Sequence, residues 1–291
     1  MRRLAASLVF LISGLGIFAY GVGVGKYNWF PHDLVKQAKY LTTGVEFDEF
    51  GRLVSDTSKL EVDCPQQTEN VGVLFAFGQS NSANHAEYKY QSDKLGEVYN
   101  YFDGKCYAAS SPLLGTTGAD GEWISKVASN LISLGTYEKV VVVSTGIGGT
   151  PVVRWAQGND LNEMLVLVLA KVALNYRVTD VVWHQGESDR HSTFTQTYEE
   201  MFNSVLNTLR QGDVKAPVFM SIASICGDDW VYPNRVTQAQ NNLTQLSGVE
   251  MGVNTDELVK IDMRYDKCHF SKEGQELAAN ELARLIASYH K

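Results

Sequence analysis

The first place where this chain could do chemistry is a serine at the end of an apolar run. Val71-Gly72-Val73-Leu74-Phe75-Ala76-Phe77 is followed by Gly78-Gln79-Ser80-Asn81. A short apolar run closed by glycine reads as a buried strand. In open α/β sheets, ligands sit in the crevice outside the carboxyl ends of strands, and Ser80 falls there. Taken alone, the same residues equally describe a turn or a helix-cap serine. What raises Ser80 above that is the company it keeps further along the chain.

A serine hydroxyl is a poor nucleophile until a neighbouring base takes its proton. His269, in Asp266-Lys267-Cys268-His269-Phe270, is the candidate base. Asp266 lies three residues earlier, so one turn of chain brings its carboxylate to the imidazole and fixes the tautomer. A tetrahedral intermediate also needs hydrogen-bond donors aimed at its oxyanion. The N–H of Ser80, the N–H of Gly148 and the side-chain amide of Gln185 are the candidates, with adjacent Gly149 the alternative for Gly148. Arg154 and Trp155 are candidates for the rim of a sugar site, and a packing role for Trp155 fits equally well.

Other chemistries fit less well. His184, Glu187, Asp189 and His191 lack the H-E-x-x-H spacing of a metal site, so no metal is expected. Glu187 and Asp189 also suit loop anchoring through backbone N–H groups. Gly146, Gly148 and Gly149 match neither a dinucleotide fingerprint nor a P-loop. Ser82 stands where the last glycine of a G-x-S-x-G elbow would be, which argues against the α/β-hydrolase fold. No organic cofactor is expected.

These residues must be positioned by elements, and the body of the chain supplies an alternating pattern. Strands are expected at 71–77, 139–144, 180–184 and 217–222, with an edge strand at 258–261. Helices are expected at 122–135, 160–176, 198–212, 236–246 and 271–289, from apolar residues at helical spacing. Asp160-Leu161-Asn162-Glu163 has the form of a capping box. Strands alternating with helices imply a three-layer α/β/α sandwich around a mostly parallel sheet. The motifs after 144, after 184 and around 269 then cluster, like Ser80, beyond strand ends.

The 291 residues carry a formal net charge of −8, which argues against nucleic acid as a partner. The first 70 residues differ in character. Met1-Arg2-Arg3 precedes Leu4–Gly25, which has no charged residue, and Lys26 closes it. Such a stretch is long enough to cross a bilayer, and the arginines would keep its start in the cytoplasm. Residues 1–26 therefore read as a retained signal-anchor or a cleaved signal peptide, with a buried globular helix as the remaining alternative. Both export readings put the body of the protein outside the cytoplasm, anchored to the membrane or secreted. Residues 27–70 read as a connector, with a short amphipathic helix at 32–41, and residues 71–291 as the main domain. Four cysteines, with no C-x-x-C pair, suit an oxidising compartment. Cys64–Cys106 and Cys226–Cys268 is the preferred pairing among three connectivities, and buried free thiols are the alternative.

Taken together, Gly78-Gln79-Ser80-Asn81, Gly148-Gly149-Thr150-Pro151 with Trp155, Trp183-His184-Gln185-Gly186-Glu187-Ser188-Asp189, and Asp266-Lys267-Cys268-His269-Phe270 resemble the SGNH (GDSL-like) hydrolase superfamily. Within it they are similar to the sialate O-acetylesterase-like carbohydrate esterases. The resemblance runs from about Val71 to the end of the chain and does not reach residues 1–70. It implies an SGNH/flavodoxin-like fold, Ser80 as nucleophile, His269 as base, and Gly148 and Gln185 as oxyanion donors. It leaves open whether Asp266 or Glu187 partners the histidine. The activity it implies is removal of acetyl or other short acyl groups from carbohydrate hydroxyls. An acyltransferase using the same site, or a carbohydrate-binding protein without activity, are the alternatives.

Overall fold

The computed structural model describes residues 42–92, 94, 96–228 and 231–291, together with 14, 16–18, 20 and 21. Two units are distinguished, one of residues 1–46 and 55–58 and one of residues 47–54 and 59–291. In the first, the described residues between 14 and 21 are helical and exposed. No helix among the described residues is long and apolar enough to cross a membrane. Most of the expected membrane segment, and all of the 27–41 stretch with its amphipathic helix, lie outside the described residues.

The second unit is built on eight strands. With elements numbered from Val45 onward, β1 (Val45–Phe47) and β2 (Leu53–Asp56) form a separate two-stranded sheet. The main sheet contains β3 (Glu61–Val62), β4 (Val71–Gly78), β5 (Val98–Phe102), β6 (Lys105–Ala108), β7 (Lys139–Ser144), β8 (Asp180–His184), β9 (Val218–Ile222) and β10 (Val249–Asn254), in the order β10-β9-β8-β4-β7-β5-β6-β3. From β10 to β5 all pairings are parallel, and β6 and β3 complete one edge antiparallel. The chain works on one side of β4 through β7, then crosses to the other side for β8. The carboxyl end of β4, where Ser80 begins, therefore sits at the reversal of strand order, where α/β sheets open a crevice.

Alternation along the strands explains the layers. Val73, Phe75, Phe77, Val141 and Val143 enter one core with residues of α2 (Asp160–Ala173), α3 (Thr195–Gln211) and α4 (Arg235–Leu243). Leu74, Ala76, Val140 and Val142 enter the other with α1 (Ile124–Ser133) and α6 (Lys272–Tyr289). Period-two side-chain alternation lets each strand serve both faces. The expected α/β/α layering is thus present.

Several local expectations are corrected. Residues 258–261 are not an edge strand: Thr255–Leu258 is a short helix, α5, and Ile261–Met263 a 3-10 turn. The edge strand is β10 instead. Gly252 interrupts its apolar pattern, because a Cβ there would lie 2.8 Å from the Met220 backbone of β9. The capping box at Asp160 does not form. Asn159 is the N-cap, and the Asp160 carboxylate pairs with Arg154 at 2.5 Å. A capping box does form at α4, between Asn234 and Thr237. Within the stretch expected to be a plain connector, β3 adds to the main sheet and β1–β2 makes a hairpin. Both cysteine pairs form as preferred, Cys64–Cys106 and Cys226–Cys268.

Candidate active site

Ser80 opens a 3-10 turn, Ser80–Ser82, directly beyond β4. The approach to it is set by Gly78, whose φ of 133° no side-chain-bearing residue adopts readily. A Cβ at Gly78 would also lie 2.1 Å from the His184 carbonyl oxygen on β8. Gln79 N–H donates to that same carbonyl at 2.9 Å. Glycine therefore lets β4 stay against β8 while the chain turns, and Ser80 is delivered to a cleft of about 480 Å³. The cleft is lined by Gln79, Ser80, His85, Thr117, Gly148, Gly149, Glu187 and His269, among others.

His269 arrives on the loop between Ile261–Met263 and α6. Its Nδ1 lies 2.6 Å from Asp266 Oδ2, and Asp266 Oδ1 accepts its backbone N–H at 2.7 Å. Burial pushes the Asp266 carboxyl up, but these hydrogen bonds and the histidine's charge outweigh it and leave it below its ordinary value. Asp266, not Glu187, thus faces the imidazole. With Nδ1 engaged, Nε2 is the nitrogen left for the cleft. No hydrogen bond joins Ser80 Oγ to His269, although both line the cleft; such contacts commonly tighten only with substrate bound.

The base loop is secured from beneath. Cys268 is tied to Cys226, and Arg264, almost wholly buried, donates to the carbonyls of Cys268 (2.8 Å), Ile225 (3.2 Å), Val259 (3.2 Å) and Thr255 (3.0 Å). Its guanidinium also lies 5.1 Å from the centre of the Phe270 ring. Arg264 was not singled out from sequence, since nothing marks an isolated arginine as buried.

Glu187 does a different job. Its Oε1 accepts from Asn81 Nδ2 at 2.9 Å and lies 3.2 Å from His184 Nε2. Asn81 Nδ2 also reaches the Cys268 carbonyl at 3.2 Å. Asn81 thereby links the nucleophile turn to Glu187 and to the residue before His269. Burial alone would raise the Glu187 pKa, but His184 and the Asn81 bond hold it down to about 2.

The candidate oxyanion donors divide. Among the described residues, Ser80 N–H has no hydrogen-bond acceptor, and neither has Gly149 N–H, at a φ of 68°. Gly148 N–H donates instead to Thr117 Oγ1 at 2.8 Å. Gln185 is fully buried and away from the cleft wall. Its Nε2 donates to Asp189 Oδ2 (2.5 Å), Thr150 O (3.1 Å) and Gln79 Oε1 (3.2 Å), while Tyr198 donates to its Oε1 at 2.9 Å. Asp189 in turn accepts from Val152 N–H and Thr193 Oγ1, which is the loop-anchoring role. Gln79 Oε1 accepts the N–H groups of Gly186 and Ser188 as well.

The two rim candidates are elsewhere. Trp155 has no exposed surface and packs edge-on against Phe77 and Trp183, so it has no face to offer a sugar. Arg154 is engaged with Asp160. Residues missed from sequence take the cleft wall instead. His85 stacks on His269, with ring centres 5.4 Å apart and planes 23° apart, and its Nε2 lies 3.1 Å from Thr117 Oγ1. Burial, then the charge of His269, lower its pKa. Phe50 and Gly51, from the β1–β2 turn, form another part of the wall. Among the described residues, no group of three or more histidine, cysteine or acidic side chains is arranged to hold a metal.

Residues 70–288 match the family model "Carbohydrate esterase, sialic acid-specific acetylesterase". The chain belongs to this family. It is therefore a carboxylic ester hydrolase of the carbohydrate acetylesterase group. No curated protein matches it at a significant level. Among solved structures, a protein from Arabidopsis thaliana is similar over 77% of this chain and 100% of its own, with a TM-score of 0.63 and 20% identity. NanS is similar over 77% of this chain and 99% of its own, with a TM-score of 0.51 and 14% identity. Axe2, an acetylxylan esterase from Geobacillus stearothermophilus, is similar over 75% and 96%, with a TM-score of 0.50 and 15% identity. At these identities the likeness is one of fold.

Proposed function

We propose that this esterase removes acetyl or another short acyl group from a carbohydrate hydroxyl through a Ser80-His269-Asp266 mechanism. The observation that supports the reading is that His269, paired with Asp266, lines the same cleft as Ser80, within a family of acetylesterases. Ser80 Oγ attacks the ester carbonyl while His269 Nε2 takes its proton. Asp266 holds Nδ1–H and stabilises the imidazolium that results. The carbonyl oxygen, now negative, is met by the N–H groups of Ser80 and Gly149. Gly148 can join them once its bond to Thr117 Oγ1 exchanges for the oxyanion. The C–O bond to the sugar breaks, and His269 returns the proton to the departing hydroxyl. Water then attacks the acyl-serine by the same steps and releases the acid. Gln185 acts in this reading through the shape of the Gly186–Ser188 turn, with its amide held by three acceptors.

The two disulfides suit an oxidising compartment. We place the catalytic domain outside the cytoplasm, led there by the Leu4–Gly25 segment behind its arginine pair, either anchored by that segment or released from it.

Replacing Ser80 with alanine tests the mechanism. Hydrolysis of 4-nitrophenyl acetate should fall by about 10³-fold or more with the melting temperature unchanged. Turnover at the wild-type rate overturns the reading. Acyl product on an added sugar, in place of free acid, makes the enzyme a transferase with the same site.

A further inference from the structure

Beside the cleft lies a second cavity of about 570 Å³, within the range of roughly 300–1,000 Å³ typical of ligand sites. Its lining includes Tyr101 and Phe102 from the carboxyl end of β5, Val143 and Ser144 from that of β7, and Met164 on α2. The cleft lies beyond the ends of β4 and β8. Since β4, β7 and β5 are neighbours in the sheet, cleft and cavity follow one another along the same carboxyl edge, where α/β sheets receive ligands. Phe50 lines both.

The turn carrying Phe50 is firmly built. Asp48 Oδ1 accepts from Phe50 N–H (3.0 Å) and Arg52 N–H (2.9 Å), and Asp48 Oδ2 pairs with Arg52 Nε at 2.7 Å. Leu53, fully buried, exchanges backbone hydrogen bonds with Gly115 and Thr116. Arg52 Cζ sits 5.8 Å from the Phe50 ring centre. Phe50 is thus held in the wall with its ring only partly buried. Carboxylates of Glu49 and Glu163 border the cavity over its apolar floor, beside Asp103 in its ion pair with Lys171. Thr145, in the same wall, buries an Oγ1 that has no partner among the described residues. Apolar floor, aromatic wall and acceptors at the border match the two aspects of a sugar ring, its C–H patches and its hydroxyls. The electron-rich face of an aromatic ring attracts such C–H groups.

We propose that the substrate is an acylated oligosaccharide. The esterified unit sits at Ser80 in the cleft, the neighbouring units occupy the second cavity, and Phe50 is the aromatic wall both share. This rests on the esterase reading above. The turn lies outside residues 70–288, so the selectivity comes from a segment that the family domain does not include.

The test compares acetylated mono- and tetrasaccharides of glucose, xylose and mannose, with 4-nitrophenyl acetate as a substrate too small to reach the cavity. For the wild type, kcat/KM should favour the tetrasaccharide in at least one pair by about tenfold or more, the range a few good contacts supply. Phe50→Ala should collapse that ratio, mainly through KM, and Phe50→Trp should keep it. Leu167→Trp, at an exposed α2 position lining the cavity, should fill it and lower the ratio as well. Absence of length preference in all three pairs overturns the proposal, as does an equal loss on every ester for Phe50→Ala. Failure of the esterase reading would look different: no ester turned over by the wild type, or turnover retained by Ser80→Ala.

Discussion

Two carboxylates stand near the nucleophile, and their neighbours separate their roles. Asp266 touches the His269 ring and its main chain. Glu187 touches Asn81 and His184, deep behind the turn. Asp266→Asn should therefore lower kcat for 4-nitrophenyl acetate by about 10²–10⁴-fold, because the imidazole loses its tautomer control and its counter-charge. Its melting temperature should stay near that of the wild type, since Asp266 is at the surface of the loop. The reverse result, an active Asp266→Asn enzyme, would remove Asp266 from the mechanism. Sequence made Ser80, Asp266 and His269 legible because acyl transfer restricts residue type and Asp266 is three positions from its partner. It did not make His85 or Phe50 legible: neither residue type is unusual, and their closeness to His269 and Ser80 depends on chain separations that only folding closes. Trp155 was left open between rim and packing for a similar reason, as a tryptophan after a glycine loop reads alike whether it faces solvent or Phe77, and it is the packing alternative that forms.

At the level of elements, the site depends on how closely β4 and β8 run. Gly78 is the point of closest approach, with its positive φ and with the His184 carbonyl where a Cβ would go. Gly78→Ala should force the two strand ends apart and cost about 2 kcal/mol or more, in line with combined steric and backbone strain. A fall in the urea midpoint together with weakened turnover is the expected result; an unchanged midpoint would show that the strands tolerate the methyl. Strands β4, β7, β8 and β9 were readable because β-branched runs such as Val140–Val143 have few other uses; β5 and β6, short and mixed in polarity, were not expected. Nor were the edges legible. In β10, Gly252 answers to the backbone of β9 and breaks the apolar pattern. In β3, two residues acquire strand character only by pairing with β6.

For the whole molecule, pH is the condition most directly coupled to these contacts. Glu187 is held at about 2 in the folded state, against roughly 4.3 in an unfolded chain. Below the unfolded value, the unfolded chain binds the proton first, so folding loses the contribution as pH falls toward 2. Glu122 and Asp256, raised by burial, pull the total the other way. The comparison that isolates Glu187 is therefore wild type against Glu187→Gln. The variant should melt lower at pH 7, and the gap should narrow steadily between pH 5 and 2. A gap independent of pH would mean that shape, not charge, sets the contribution of this side chain.

The Cys226–Cys268 bond adds a matter of timing. It closes one residue before the histidine, joining two loops that lie 42 residues apart in the chain. In a chain whose thiols are still reduced, the loop of the base would be held by hydrogen bonds alone, those of Arg264 and Asn81 among them, and its covalent tie would come only with oxidation.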